Sequence, residues 1–146
     1  MIEYKLVPFH TVGKLLAENV QNHFENMLEE KLQASPKIDW ESFLQLSHSG
    51  QCVTAIILDN NDIKGYSVFV IGSNPLYKDV IEAENQAIFI EPEYRLHIMR
   101  FLRETNTLIK GMGVQTINYT LGNKRLAKLM ARAGFDDKYT VWSTDL

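Results

Sequence analysis

A single cysteine, Cys52, is all the sequence holds, so no disulfide can close within the chain and the thiol content does not favour an oxidising compartment. Long apolar runs are missing: none approaches the roughly 18 residues that a membrane-spanning helix needs. The N-terminus also lacks the basic-then-apolar pattern of a secretory signal, so a cytoplasmic protein is expected. There is no excess of positive charge. With 15 Lys and Arg against 18 Asp and Glu, the formal charge is −3, which argues against a nucleic-acid binder that works by neutralising many phosphates. Glycine is absent from Ser73 to Lys110, a gap that matters below.

What is present is ordinary for a soluble domain. Hydrophobic residues make up 45% and charged residues 23% of 146 residues, enough to bury one core and too short a chain for two. One domain spanning residues 1–146 is expected, without internal repeats or linkers. Cys52 lies in the apolar run Cys52 to Leu58. A nucleophilic role requires a basic partner, and no histidine stands in a recognisable partner motif, so the thiol reads as core.

The alternation Ile2 to Val7, stopped by Pro8, reads as a first strand. From Val12 to Leu32, apolar residues recur at helical spacing behind a cap at His10 or Thr11. His10 and His23 read as a cap neighbour and a polar-face residue, because no partner sits at ligand spacing. Asp39 is placed to cap a short second helix carrying Trp40, Phe43, Leu44 and Leu46. Cys52 to Leu58 and Ile63 to Ile71, separated by Asp59-Asn60-Asn61-Asp62, predict a hairpin, with Gly65 marking a bulge or a close backbone approach.

Residues 73–82 read as a loop, and Gln86 to Ile90 as a strand ended by Glu91-Pro92. A helical stripe then runs from Ile98 to Met112. Val114 to Leu121 reads as a strand, Asn123 to Ala133 as a helix ended by Gly134, and Tyr139 to Thr144 as a last strand. The predicted order is β-α-α-β-β-β-α-β-α-β.

That order, together with Ile88-Phe89-Ile90-Glu91-Pro92-Glu93-Tyr94-Arg95 and the closing Ala131-Arg132-Ala133-Gly134-Phe135, resembles the GNAT (N-acetyltransferase) superfamily over nearly the whole chain. Lys37-Ile38-Asp39-Trp40, Ile63-Lys64-Gly65-Tyr66 and Pro75-Leu76-Tyr77 also resemble landmarks of the small GNAT-like proteins of tailed phages. The resemblance implies an α/β (α+β) fold: a mixed, mostly antiparallel central sheet of six to seven strands, flanked by about four helices, with the fourth and fifth strands splayed apart. It implies binding of acetyl-CoA as co-substrate. The backbone of Ile88, Phe89 and Ile90 would lie along the pantetheine arm, and the loop Arg95, Leu96, His97, Ile98 and Met99 at the pyrophosphate. A helix N-terminus is a ready anion site because its first N–H groups are unpaired and its dipole favours negative charge.

The chain departs from that pattern in two places. Relatives place glycines in the pyrophosphate loop so that the backbone can close around the anion, whereas here Ile98 and Met99 follow Arg95, leaving Arg95, His97 and Arg100 as alternative sources of charge. Many relatives carry a tyrosine in the last helix as general acid, and Met130 stands there, a side chain unable to transfer a proton. Tyr119 and Tyr139 are the substitutes, each also readable as a packing tyrosine. The resemblance places a general base at Glu84, with Glu82 beside it, or else both are solvated charges. His97 can also contact either phosphate or substrate.

Asn123 resembles an asparagine that meets the cofactor, and is equally a helix cap. Lys124, Arg125, Lys128 and Arg132 line the last helix, either toward the 3′-phosphate of CoA or as a solvated face.

Besides a regulatory ligand binder that uses the interstrand cleft without turnover, two functions remain open on these residues. One is an acyl-CoA-dependent N-acetyltransferase acting by direct transfer on an amine of a small molecule or protein. The other is a catalytically degenerate phage protein of the same fold, a virion component or a module binding a host factor. Location would then be host cytoplasm or virion. Partners are acetyl-CoA and an amine acceptor in the first case and a protein in the second, without membrane insertion. The oligomeric state is open, a dimer included.

Overall fold

A computed structural model of the chain describes residues 1–25, 38–120, 124–138, 142, 144 and 146. Among these residues five strands form one sheet in the order β1-β2-β3-β4-β5. They are β1 (Ile2–Pro8), β2 (Cys52–Asp59), β3 (Asp62–Asn74), β4 (Tyr77–Ile90) and β5 (Thr116–Asn118). The first four run antiparallel to their neighbours, and β5 lies parallel to β4. Four α-helices accompany them among the described residues: α1 (Phe9–Glu25), α2 (Trp40–His48), α3 (Ile98–Lys110) and α4 (Lys124–Arg132). A 3-10 segment, Pro92–His97, leads from β4 into α3.

The sheet is buried on both faces because alternate side chains feed two cores. On one face Val53, Ala55, Ile57, Phe69, Ile88 and Ile90 meet Ile98, Phe101, Leu102 and Ile109 of α3 and Leu126 and Met130 of α4. On the other, Cys52, Ile56, Leu58, Tyr66, Val68 and Phe89 meet Phe9, Val12 and Leu16 of α1. Phe9 anchors α2 as well, stacking on Trp40 at 6.0 Å and tilting against Phe43 at 5.4 Å. Cys52 is fully buried here, and burial pushes its thiol up to about 11. A thiol that stays protonated is not a nucleophile.

The start of α2 follows from one side chain. Asp39 accepts the Ser42 backbone N–H at 3.0 Å and the Ser42 hydroxyl at 2.6 Å, satisfying a donor the first turn leaves unpaired. The hydroxyl bond first, then the backbone bond, holds the Asp39 carboxyl below its usual range. A folded-state value lowered in this way stabilises the chain above the unfolded value and stops doing so as pH falls through the folded one. Asp39→Ala is therefore expected to lower Tm by a few degrees at pH 7, and the gap to the wild type should narrow below about pH 4. Paired melts at pH 7 and pH 3 test this; an equal gap at both would detach the effect from the carboxylate.

Several expectations are corrected. Helix α1 starts at Phe9, so His10 and Thr11 sit inside its first turn, and the Thr11 hydroxyl donates back to the Pro8 carbonyl at 2.7 Å. His10 instead bonds Ser47 of α2, backbone N–H to Oγ at 2.9 Å and Nδ1 to Oγ at 2.8 Å. Residues 73–82 are mostly strand rather than loop, because β3 and β4 continue as a hairpin with Ile71 opposite Ala83 and Ser73 opposite Ile81. That arm is solvent-exposed on most positions and so lacks the half-buried alternation by which a strand is recognised.

The expected fifth strand, Val114 to Leu121, contracts to Thr116–Asn118, where it still has a partner. The described strands number five rather than six or seven. Most of the strand expected from Tyr139 to Thr144, and residues 26–32 of the first helix, lie outside the described residues.

The Ala133-Gly134-Phe135 close of α4 has a plain physical cause. Gly134 takes φ +92, and the N–H groups of Gly134 and Phe135 bond the carbonyls of Ala131 at 3.2 Å and Met130 at 3.0 Å. This is the paired left-handed closure that glycine permits. It turns Phe135 back onto Tyr119, ring centres 5.3 Å apart and edge-on.

Candidate active site

Pairing between β4 and β5 lasts for three rungs, Glu82 with Thr116, Ala83 with Ile117 and Glu84 with Asn118. Strand β4 runs on to Ile90 with only β3 paired to it among the described residues. The pairing thus ends at a vertex, Glu84 and Asn118, beyond which β4 continues without β5. Asn118 Nδ2 donates to Glu84 Oε1 at 2.7 Å across that vertex, so the candidate base is exposed but held. Glu82, its expected neighbour, sits two residues back on the first rung.

Just past the vertex, Val68 pairs with Ala87 but Phe69 pairs with Asn85, which leaves Gln86 as an extra residue. Such bulges bend a strand and re-aim its side chains. Asn85 fastens this one: its Nδ2 lies 2.8 Å from Ser67 Oγ, 3.1 Å from the Ala87 carbonyl and 3.3 Å from that of Val68. Gln86 reaches back through Nε2 to the Glu84 carbonyl at 3.2 Å. Neither Asn85 nor Asn118 is singled out by the motifs. The available signal was the polar run Glu84-Asn85-Gln86, which breaks strand alternation, and Asn118 between Ile117 and Tyr119.

Tyr119 follows Asn118 but belongs to the core against α3 and α4, where its ring meets Phe69 edge-on at 5.7 Å as well as Phe135. Glu84 and Tyr119 therefore belong to opposite faces of the sheet, Glu84 standing opposite Val70 of the α1 face and Tyr119 packing with Phe69 on the other. Met130 is buried in the same core.

Beyond β4, Arg95 and Leu96 are exposed, His97 is half-buried against the Tyr94 ring, and the side chains of Ile98 and Met99 turn into the core. The backbone there is closed on itself: Tyr94 N–H bonds the Glu91 carbonyl at 2.8 Å, and the Ile98 N–H bonds that of Arg95. A 3-10 segment uses its own N–H groups in this way. Arg100, on the first turn of α3, lies over the Tyr4 ring at 5.4 Å and 3.8 Å from Glu104. Ile88, Phe89 and Ile90 are buried by their side chains. Asn123 lies outside the described residues, while Arg125, Lys128 and Arg132 are exposed on α4.

A mostly antiparallel sheet whose fourth and fifth strands run parallel, with helices on both faces, is a GNAT-like fold. Solved structures agree. An aminoglycoside acetyltransferase from an uncultured soil metagenomic sample superposes with TM-score 0.70 at 13% identity, covering 99% of this chain and 96% of that one. A predicted acetyltransferase from Clostridium acetobutylicum, solved with acetyl-CoA, gives 0.66 at 16% identity over 99% and 96%. Glucosamine-6-phosphate N-acetyltransferase from Arabidopsis thaliana gives 0.68 at 12% identity over 99% and 98%. No family model and no curated protein matches the sequence. At such identities the likeness is one of fold.

Proposed function

We propose that the protein is an acyl-CoA-dependent N-acetyltransferase that moves an acetyl group from acetyl-CoA to an amine of a small molecule or protein. The observation that carries this reading is the end of β4–β5 pairing at Glu84 and Asn118. It leaves one side of β4 from Asn85 to Ile90 without a described strand, a backbone ladder suited to an extended amide-bearing arm. Solved neighbours of this fold include structures with acetyl-CoA and with a CoA bisubstrate analogue.

Acetyl-CoA supplies an activated acyl carbon, and the remaining tasks fall to this chain. Glu84, at the vertex, would take the proton that the attacking amine must lose, directly or through water. Asn118 keeps its carboxylate turned to that point. Tyr119 is the candidate to return a proton to the departing thiolate, since Met130 has none to give. The backbone of Ile88, Phe89 and Ile90 would line the arm. At the diphosphate the closed segment from Arg95 through Leu96, His97, Ile98 and Met99 offers few free N–H groups, so Arg95 and His97, with Arg100, would neutralise it by side-chain charge.

That closed segment, together with a buried Met130, favours one alternative: a protein of this fold without turnover, a virion component or a module that binds a host factor, with location in host cytoplasm or virion to match. Titration with acetyl-CoA separates the two. Saturable one-to-one binding in the micromolar range, weakened at least tenfold in Arg95→Ala as loss of a charged phosphate contact implies, is the expected result. No heat and no thermal shift at millimolar acetyl-CoA would sink the transferase.

A further inference from the structure

One group of contacts around the exit of β4 is left unused by the reaction above. Ile57 pairs with Gly65 but Leu58 pairs with Ile63, so Lys64 is an extra residue that bulges from β3. Its carbonyl accepts the Glu91 N–H at 2.9 Å, and its ammonium lies 3.8 Å from the Glu91 carboxylate and 5.7 Å from the centre of the Tyr94 ring. A Cβ on Gly65 would stand 3.0 Å from the Phe89 carbonyl oxygen, so β3 approaches β4 here closely enough that any other residue would push its neighbours aside. The Tyr94 hydroxyl then donates to Asp59 Oδ2 at 2.7 Å. Asp59 closes β2 ahead of a tight turn in which Asn60 and Asn61 both take positive φ, the geometry that two-residue hairpins favour. The other Asp59 oxygen faces the Met1 amino group at 3.1 Å.

We infer that Tyr94 is a positioning residue: through its bond to Asp59 it clamps the segment Pro92–His97 onto the β2–β3 turn and thereby fixes where Arg95, His97 and the start of α3 stand. The bond joins residues 35 apart in the chain and involves a carboxylate, the stronger kind of hydrogen bond. Tyr94 holds the Asp59 carboxyl below its usual range more than any other group does.

The consequence for acetyl-CoA rests on the function proposed above, and the test keeps the two apart. Amide exchange is read in Tyr94→Phe, which keeps the ring and removes only the hydroxyl. Exchange at residues 93–98 is expected to quicken while the amides of β2 and β3 hold their rates. In parallel, Tyr94→Phe and Asp59→Ala should each weaken acetyl-CoA binding about fivefold, raise its KM rather than lower kcat, and combine without adding. Asp59→Asn, which retains an acceptor, should restore most of the affinity. Unchanged exchange in Tyr94→Phe overturns the clamp whatever the wild type binds. Faster exchange with unaltered acetyl-CoA affinity overturns its role at the cofactor. A wild type that does not bind acetyl-CoA overturns the proposed function and that role with it, while the exchange data still decide the clamp.

Discussion

Glu84→Gln is expected to lower the transfer rate by about 10²- to 10⁴-fold, the usual worth of a positioned general base, while acetyl-CoA binds as before. The substitution is nearly isosteric. A glutamine oxygen can still accept the Asn118 amide that now reaches Glu84 Oε1 at 2.7 Å, so the end of the β4–β5 pairing should keep its shape. What glutamine cannot do is accept a proton at neutral pH. Rate and binding should therefore separate: CoA release, followed with a thiol reagent on the wild type's best acceptor from a panel of amines, should collapse while calorimetric affinity and Tm hold. A rate within threefold of the wild type would move the base elsewhere. Loss of Tm instead would recast Glu84 as a strut between β4 and β5.

The second large effect belongs to Phe69→Ala. Phe69 is completely buried at the middle of β3, and removing such a ring costs about 3–5 kcal/mol through lost burial and the cavity left behind. Domains of this kind hold only about 5–15 kcal/mol in total, so Tm should fall by roughly 10 °C or more. Urea melts should show a lower midpoint with an unchanged slope. The loss should also reach the site, because Phe69 supports Tyr119 edge-on and Tyr119 in turn supports Phe135. A drop under about 3 °C would mean that neighbouring side chains collapse into the space.

What could be read in the sequence followed from whether a signal is local. The Asp39 cap and the Asn60–Asn61 turn depend on residues within a few positions of one another, and both stand where the sequence places them. Gly65, read as a bulge or a close approach, stands beside the bulge at Lys64 and is itself a close approach. The outer arm of the β3–β4 hairpin was missed because Tyr77 to Ile81 are held by pairing with β3 rather than by a buried face.

The site divides in the same way. Glu84 and the segment after Arg95 were placed by motif, and the structure sets Glu84 at the vertex. The bond from Asn118, 34 residues away, has no counterpart in local spacing. Nor does the bond from Tyr94 to Asp59. Motifs name the candidate residues, and only the folded chain shows what holds them.

Cys52 has one further consequence. Its thiol is sealed between the sheet and the helices on one face, protonated and out of contact with solvent. A modifying reagent can reach it only when β2 parts from its neighbours, an opening that in a core strand approaches the whole free energy of unfolding. With no second cysteine in the chain, the label taken up per hour counts such openings alone. The protein carries its own clock for them, and bound acetyl-CoA should slow it by the factor set through mass action.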